Sequence, residues 1–142
     1  MILKRLIADR KDASQWHIES AGTWARSGGP ATVLSQIVAE EMGLDLSNHA
    51  SKPVTPEMIE DFDLILTMEG QQKEALKLTF KNSGSRIFML SEMVSRVEDV
   101  ADPVGGELVD YRATAKLMES YLSGGLDRIQ HLAERRSRTS KK

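Results

Sequence analysis

The chain contains no cysteine among its 142 residues, which excludes a disulfide scaffold and any thiolate metal site within it. That absence leaves the redox compartment open, because a cysteine-free chain survives in any setting. No apolar run approaches the roughly 20 residues that span a bilayer. The stretch Met1-Ile2-Leu3-Lys4-Arg5-Leu6-Ile7 is not a signal peptide, since charges interrupt it and no small-residue cleavage site follows. Neither sign of charge dominates. With 19 basic and 21 acidic residues the net charge is −2, so nothing draws the chain as a whole to nucleic acid or an anionic membrane. Gly28-Gly29 fits neither dinucleotide nor phosphate-loop spacing. Glu19, Asp61, Asp63 and Glu69 form no metal set, and His17 and His131 lack partners at ligand spacing. The chain also lacks internal repeats and low-complexity segments. The expectation is a cytoplasmic protein with one domain and no metal or cofactor.

What remains is strands alternating with helices. Residues 2–10 place Ile2, Leu3, Leu6 and Ile7 on one helical face, without a cap at the start. Trp16 to Ser20 alternate like a half-buried strand. Pro30 opens a helix through Met42, and Gly43 closes it. Thr55-Pro56-Glu57 is a helix start with Thr55 as its cap. Residues 63–68, Asp-Leu-Ile-Leu-Thr-Met, read as a parallel strand buried on both faces. A helix over Gln71 to Phe80 leads to a third strand over 86–90. Glu98 to Glu107 is a loop. A long helix from Leu108 to Ala133 is interrupted by Gly124-Gly125, each costing about 1 kcal/mol against alanine. Residues 134–142, with five basic residues from Arg135 onward, read as a disordered tail after a domain over 1–133. The alternation implies an α/β fold with a parallel sheet.

Five ordered segments carry a resemblance. They are Ile18-Glu19-Ser20-Ala21-Gly22-Thr23-Trp24-Ala25 with Gly29-Pro30-Ala31; Gly43-Leu44-Asp45-Leu46-Ser47-Asn48-His49; Thr55 to Ile59 leading into 63–69; Leu90-Ser91-Glu92; and Asp102-Pro103-Val104-Gly105-Gly106. In order and spacing, over residues 1–133, the chain resembles the low-molecular-weight protein-tyrosine phosphatases, a family that includes bacterial arginine phosphatases. The resemblance implies a flavodoxin-like three-layer α/β fold. It also implies substrates that are phosphorylated proteins or small phosphate esters, hydrolysed through a phosphocysteine without metal.

Such a phosphatase works in four parts. A thiolate attacks phosphorus. Loop N–H groups at a helix N-terminus cradle the phosphate oxygens, and an arginine grips them bidentately. An acid then protonates the leaving group. By resemblance Asp102 is that acid, on a turn stiffened by Pro103 and opened by Gly105-Gly106. Trp24, Pro103 and Val104 fall at the substrate cleft, where Trp24 can stack on a phosphoaryl ring or a guanidinium. Ser20 and His49 match positions that support the phosphate loop.

The departure from the family is the cysteine-containing loop, with the first strand before it. Met1 falls a few residues into the family's first helix, so the central strand of the sheet is expected to be absent from this chain. Flanking strands would then face a gap, and the chain is expected to be poorly stable alone, prone to aggregate at exposed edges, or rescued by strand pairing into an oligomer. Two readings follow: an enzyme whose start is misplaced, inactive as written, or a non-catalytic relic that acts by binding. A third, arsenate reductase, needs downstream cysteines that the chain lacks. The first reading predicts that in-frame translation upstream of Met1 finds a cysteine, five residues and an arginine within roughly 25 codons, a spacing that lets loop N–H groups and a guanidinium meet one phosphate. An in-frame stop before that motif would end it.

Overall fold

The computed structural model describes residues 1–139 and falls into two compact units, residues 1–54 with 102–119, and residues 55–101 with 120 onward. The second unit holds the sheet. Strands β1 (Ile65–Thr67) and β2 (Ile87–Met89) pair in parallel, with Ile65 opposite Ile87, Leu66 opposite Phe88 and Thr67 opposite Met89. Both lie inside the predicted apolar runs. Parallel neighbours need a crossover, and α4 (Gly70–Thr79) is part of the connection. Its leading N–H groups are met by side chains. Gln72 Oε1 accepts from the N–H groups of Met68 and Glu69 at 3.1 and 3.2 Å, and Asp99 Oδ1 accepts from Gly70 at 2.8 Å. The helix α3 (Pro56–Asp61) starts where the sequence indicates, with Thr55 Oγ1 accepting from the Met58 N–H.

Ile59, Ile87, Leu90, Met93, Val100 and Ile129 are almost fully buried, and each such aliphatic side chain stabilises the fold by about 1.5–3 kcal/mol. Glu92 organises the loop after β2. Its Oε2 accepts from the Met89 N–H at 2.6 Å and from Lys73 Nζ at 2.8 Å. Burial works against its charge, but the Lys73 and Met89 hydrogen bonds prevail and hold its pKa below the ordinary value. Ser91, buried beside it, accepts from the Glu98 N–H at 3.1 Å.

The long C-terminal helix is two helices, α5 (Leu108–Gly124) and α6 (Leu126–Thr139). Gly125, between them, is a position with no room for a side chain. A Cβ there would lie 2.5 Å from Met93 Cβ and 2.8 Å from the Tyr121 carbonyl oxygen. The helix α6 corrects the expectation of a domain ending at 133 with a disordered tail from 134, because residues 134–139 are helical. Arg136 Nη1 donates to the Phe62 carbonyl at 3.2 Å and lies 3.9 Å from Asp63 Oδ1, so anchoring overrides the basic composition. The rest of the expected tail, residues 140–142, lies outside the described residues.

In the first unit, α1 (Ile2–Ile7) is shorter than the predicted 2–10 and, as expected, has no side-chain cap. The helix α2 (Val33–Glu41) begins three residues after Pro30, because Thr32 Oγ1 accepts from the Ser35 N–H at 3.2 Å and so sets the start. It ends at Gly43 (φ +73°), with Gly43 N–H donating to the Glu40 carbonyl and Leu44 N–H to that of Ala39. That double closure requires a left-handed residue. Arg5 ties α1 to the Met42 carbonyl and, at 3.0 Å, to Glu119, while Arg112 grips both oxygens of Glu41 at 2.8 and 2.6 Å. The Glu41 carboxyl is held below its usual range by this hydrogen-bonded pairing.

The expected strand over 16–20 is absent among the described residues. Alternation supplies extended backbone but no ladder partner, and the first pairing on this segment is a single parallel bridge between Gly22 and Pro53. No described helix is long and apolar enough to cross a membrane. The two glycines at the α5–α6 junction separate propensity from sterics. Gly124→Ala, whose Cβ would meet only Val94 Cγ1 at 3.3 Å, is expected to raise stability by up to about 1 kcal/mol. Gly125→Ala is expected to lower it by about 1–3 kcal/mol. Urea unfolding of both variants checks the opposite signs.

Candidate active site

The candidate site residues Ser20, Trp24, His49, Asp102, Pro103 and Val104 all lie in the first unit. Asp102, Pro103 and Val104 form one tight turn before α5. Asp102 Oδ1 accepts from the Val104 N–H at 3.0 Å, and the Pro103 carbonyl accepts from the Gly106 N–H at 2.8 Å. An aspartate that hydrogen-bonds the backbone two residues on is a standard turn former. The turn passes through Gly105 at φ +86°, a region open to glycine. Gly106 is crowded, since a Cβ there would lie 2.7 Å from Asp110 Oδ2. That oxygen accepts from the Glu107 N–H at 2.8 Å and fixes the way into α5. The Asp102 carboxylate is thus oriented by its own loop while remaining exposed.

The segment holding Ser20 and Trp24 is zipped to the one holding His49. Gly22 N–H donates to the Lys52 carbonyl at 3.0 Å, and Val54 N–H donates to that of Gly22 at 3.2 Å. Further along, Gly28 N–H donates to the Ser51 carbonyl, and Ser51 N–H to that of Gly29, both at 2.7 Å. Ser51 Oγ closes the pair, accepting from the Gly29 N–H at 3.1 Å and donating to the Arg26 carbonyl. Glu19 adds a side-chain tie, meeting His17 Nε2 at 2.8 Å and the Lys52 ammonium. Lys52 first, then His17, hold the Glu19 carboxyl below its usual pKa.

Ser20 precedes this zipped region by two residues, and His49 precedes Ser51 by two. Both side chains are exposed. Trp24 lies inside the zipped region yet is 96% exposed, and Val104 is 67% exposed. The structure therefore gathers the Asp102 turn, Ser20, Trp24 and His49 into one unit. Among the described residues, no hydrogen bond or ion pair joins the turn directly to the other three. Sequence reasoning missed Ser51 and Lys52, and it quoted Gly29 only as part of a family segment. Residues 47–53 read only as a loop, and a serine staple carries no spacing signal of its own. Among the described residues no group of three or more histidines or acids gathers as a metal set.

The model of the low molecular weight phosphotyrosine protein phosphatase family matches residues 2–137. The chain belongs to this family. A protein-arginine-phosphatase of Bacillus subtilis is 34% identical over 121 residues, 84% of this chain and 79% of that protein. A probable low molecular weight protein-tyrosine-phosphatase, EpsP of Ralstonia nicotianae, is 30% identical over 80% of this chain and 77% of its own length. A crystal structure of a YwlE mutant from Bacillus subtilis matches with a TM-score of 0.78 at 30% identity, covering 91% of this chain and 86% of that one. This phosphatase-family chain, residues 1–142, contains no cysteine, so it supplies no thiolate of its own.

The zipped segment of the phosphatase domain generates a contrast in stability. Ser51→Ala removes both hydroxyl bonds and is expected to cost about 1–2 kcal/mol, taking a typical net hydrogen bond at about 1 kcal/mol. Trp24→Ala, at an exposed position, is expected to stay within about 0.5 kcal/mol of the unchanged protein. Denaturant midpoints of the two variants measure the difference.

Proposed function

We propose that this chain is a phosphatase-family domain that recognises phosphorylated protein side chains, phosphotyrosine or phosphoarginine, with Asp102 as the acid facing the leaving group. The observation that carries the reading is the Asp102 turn. One carboxylate oxygen is occupied by the Val104 N–H, and the carboxyl group remains exposed on a hydrogen-bonded turn. An acid must be oriented before it transfers a proton efficiently.

In the reaction, a nucleophile forms a bond to phosphorus while the P–O or P–N bond to the side chain breaks. The bonding pair leaves with the oxygen or nitrogen, which takes the proton from the Asp102 carboxyl. Trp24 supports the substrate assignment, because a fully exposed indole is a ready stacking surface for an aryl ring or a guanidinium. Val104 and Pro103 supply an apolar rim on the acid's own turn. Ser20 and His49 flank the zipped backbone, at the positions that support the phosphate-binding loop in the family.

The nucleophilic part of that chemistry is a thiolate, and residues 1–142 provide none. The chain by itself is therefore a non-hydrolysing binder of phosphorylated side chains. The absence of cysteine also favours a second reading, a regulatory relic that acts in the cytoplasm by binding alone.

Two measurements test this. Residues 1–142 are expected to release no phosphate from para-nitrophenyl phosphate, and release above the buffer rate would overturn the inactivity. In a Trp16→Phe background, phosphotyrosine and phosphoarginine peptides are expected to change Trp24 fluorescence saturably. A flat titration with both would overturn the binding assignment.

A further inference from the structure

The second unit carries a cavity of about 220 Å³ that none of the preceding chemistry uses. Leu64, Phe88 and Leu132 form its apolar walls, and Ser85, Arg86 and Arg136 its polar ones, with Arg135 also lining it. Arg86 is committed to the fold. Its Nη1 donates to the carbonyls of Ile59, at 3.0 Å, and Phe62, and its Nη2 donates to Ser83 Oγ at 2.7 Å. Arg136 Nη1 donates to the same Phe62 carbonyl at 3.2 Å.

Two guanidiniums thus converge on one neutral oxygen. Burial first, and then the charge of Arg136, depress the pKa of Arg86. Asp63, 3.9 Å from Arg136 and half exposed, offsets part of it, as does Glu60. Arg86 and Arg136 thus share one carbonyl, with Asp63 and Glu60 as the nearby carboxylates. Among the described residues, the other two nitrogens of the Arg136 fork have no hydrogen-bonded protein acceptor. A planar fork of this kind matches an oxyanion bidentately.

We propose that this cavity binds a small organic phosphate or phosphonate, its oxyanion held by Arg136 beside the Ser85 hydroxyl and its apolar body against Leu64, Phe88 and Leu132. The walls decide the class. A bare anion would leave three apolar side chains in contact with water. A nucleic acid backbone or a membrane surface needs an extended basic face rather than a small, partly open cavity with three apolar walls. The site is separate in sequence and in unit from the Asp102 turn.

The test is residue-resolved ¹⁵N NMR of the full chain titrated with phenylphosphonate, which cannot be hydrolysed as an ester. Saturable shifts are expected at the amides of 85–88 and 132–136, whatever happens at Trp24 and 102–106, whose shifts report the other site. Methylphosphonate, without the ring, is expected to bind about fivefold or more weakly, and Arg136→Gln is expected to weaken phenylphosphonate by about fivefold or more. Ser85→Ala, at an exposed position lining the cavity, provides a second variant with the same expected direction in case Arg136→Gln unfolds. Absence of saturable shifts at 85–88 and 132–136, or affinity unchanged in the folded variants, would overturn the proposal. Equal binding of methylphosphonate would overturn it too, since the apolar walls would then play no part.

Discussion

Extended backbone must find a hydrogen-bonding partner or remain solvated, and that obligation sorts this chain into its parts. Residues 65–67 meet it through the parallel ladder with 87–89. Residues 22–29 meet it by zipping to 51–54. Residues 16–21 are no less extended in pattern, yet they join no ladder among the described residues. Position in the candidate site follows from this sorting. The zipped segment places Trp24 and leaves Ser20 and His49 at its borders, and a separate self-bonded turn holds Asp102.

Side chains complete what the backbone starts. Arg5 and Arg112 join α1, α2 and the first part of α5 through Met42, Glu119 and Glu41. Because α5 begins directly after the Asp102 turn, these pairs also fix the base on which the turn stands. In the other unit, Glu92 and Gln72 satisfy backbone groups at the ends of the strands, where a neutral apolar residue would leave buried donors without partners. Chemistry and architecture thus fall on different residues. Those that orient the acid and the aromatic surface are small or locally bonded, and those that hold the helices are long and charged.

Much of this was legible from residue order. Thr55-Pro56 marks the start of α3 because a hydroxyl cap and a proline have fixed places at a helix N-terminus. Gly43 marks the end of α2 for the corresponding reason, and the apolar runs at 63–68 and 86–90 contain both strands. The family was readable because five segments keep their order and spacing. What escaped depends on contacts distant in sequence. Nothing local in Arg135 to Thr139 announces that Arg136 will meet a carbonyl 74 positions away, so composition suggested disorder where there is helix. Ser51 looks like any loop serine until Gly29 approaches it. Alternation at 16–20 describes one strand's side chains and cannot supply the neighbour that a ladder requires.

Both units are discontinuous along the chain, and this bears on how the protein assembles during synthesis. The first unit draws on residues 102–119 and the second on residues from 120 onward. Neither can close while only the first hundred residues have left the ribosome. The Arg136–Phe62 bond, 74 positions apart in sequence, waits until α6 has emerged. Long-range contacts of this kind delay the reward for ordering the chain. Until then the apolar strands β1 and β2 lack α6, a period in which exposed apolar surface favours aggregation.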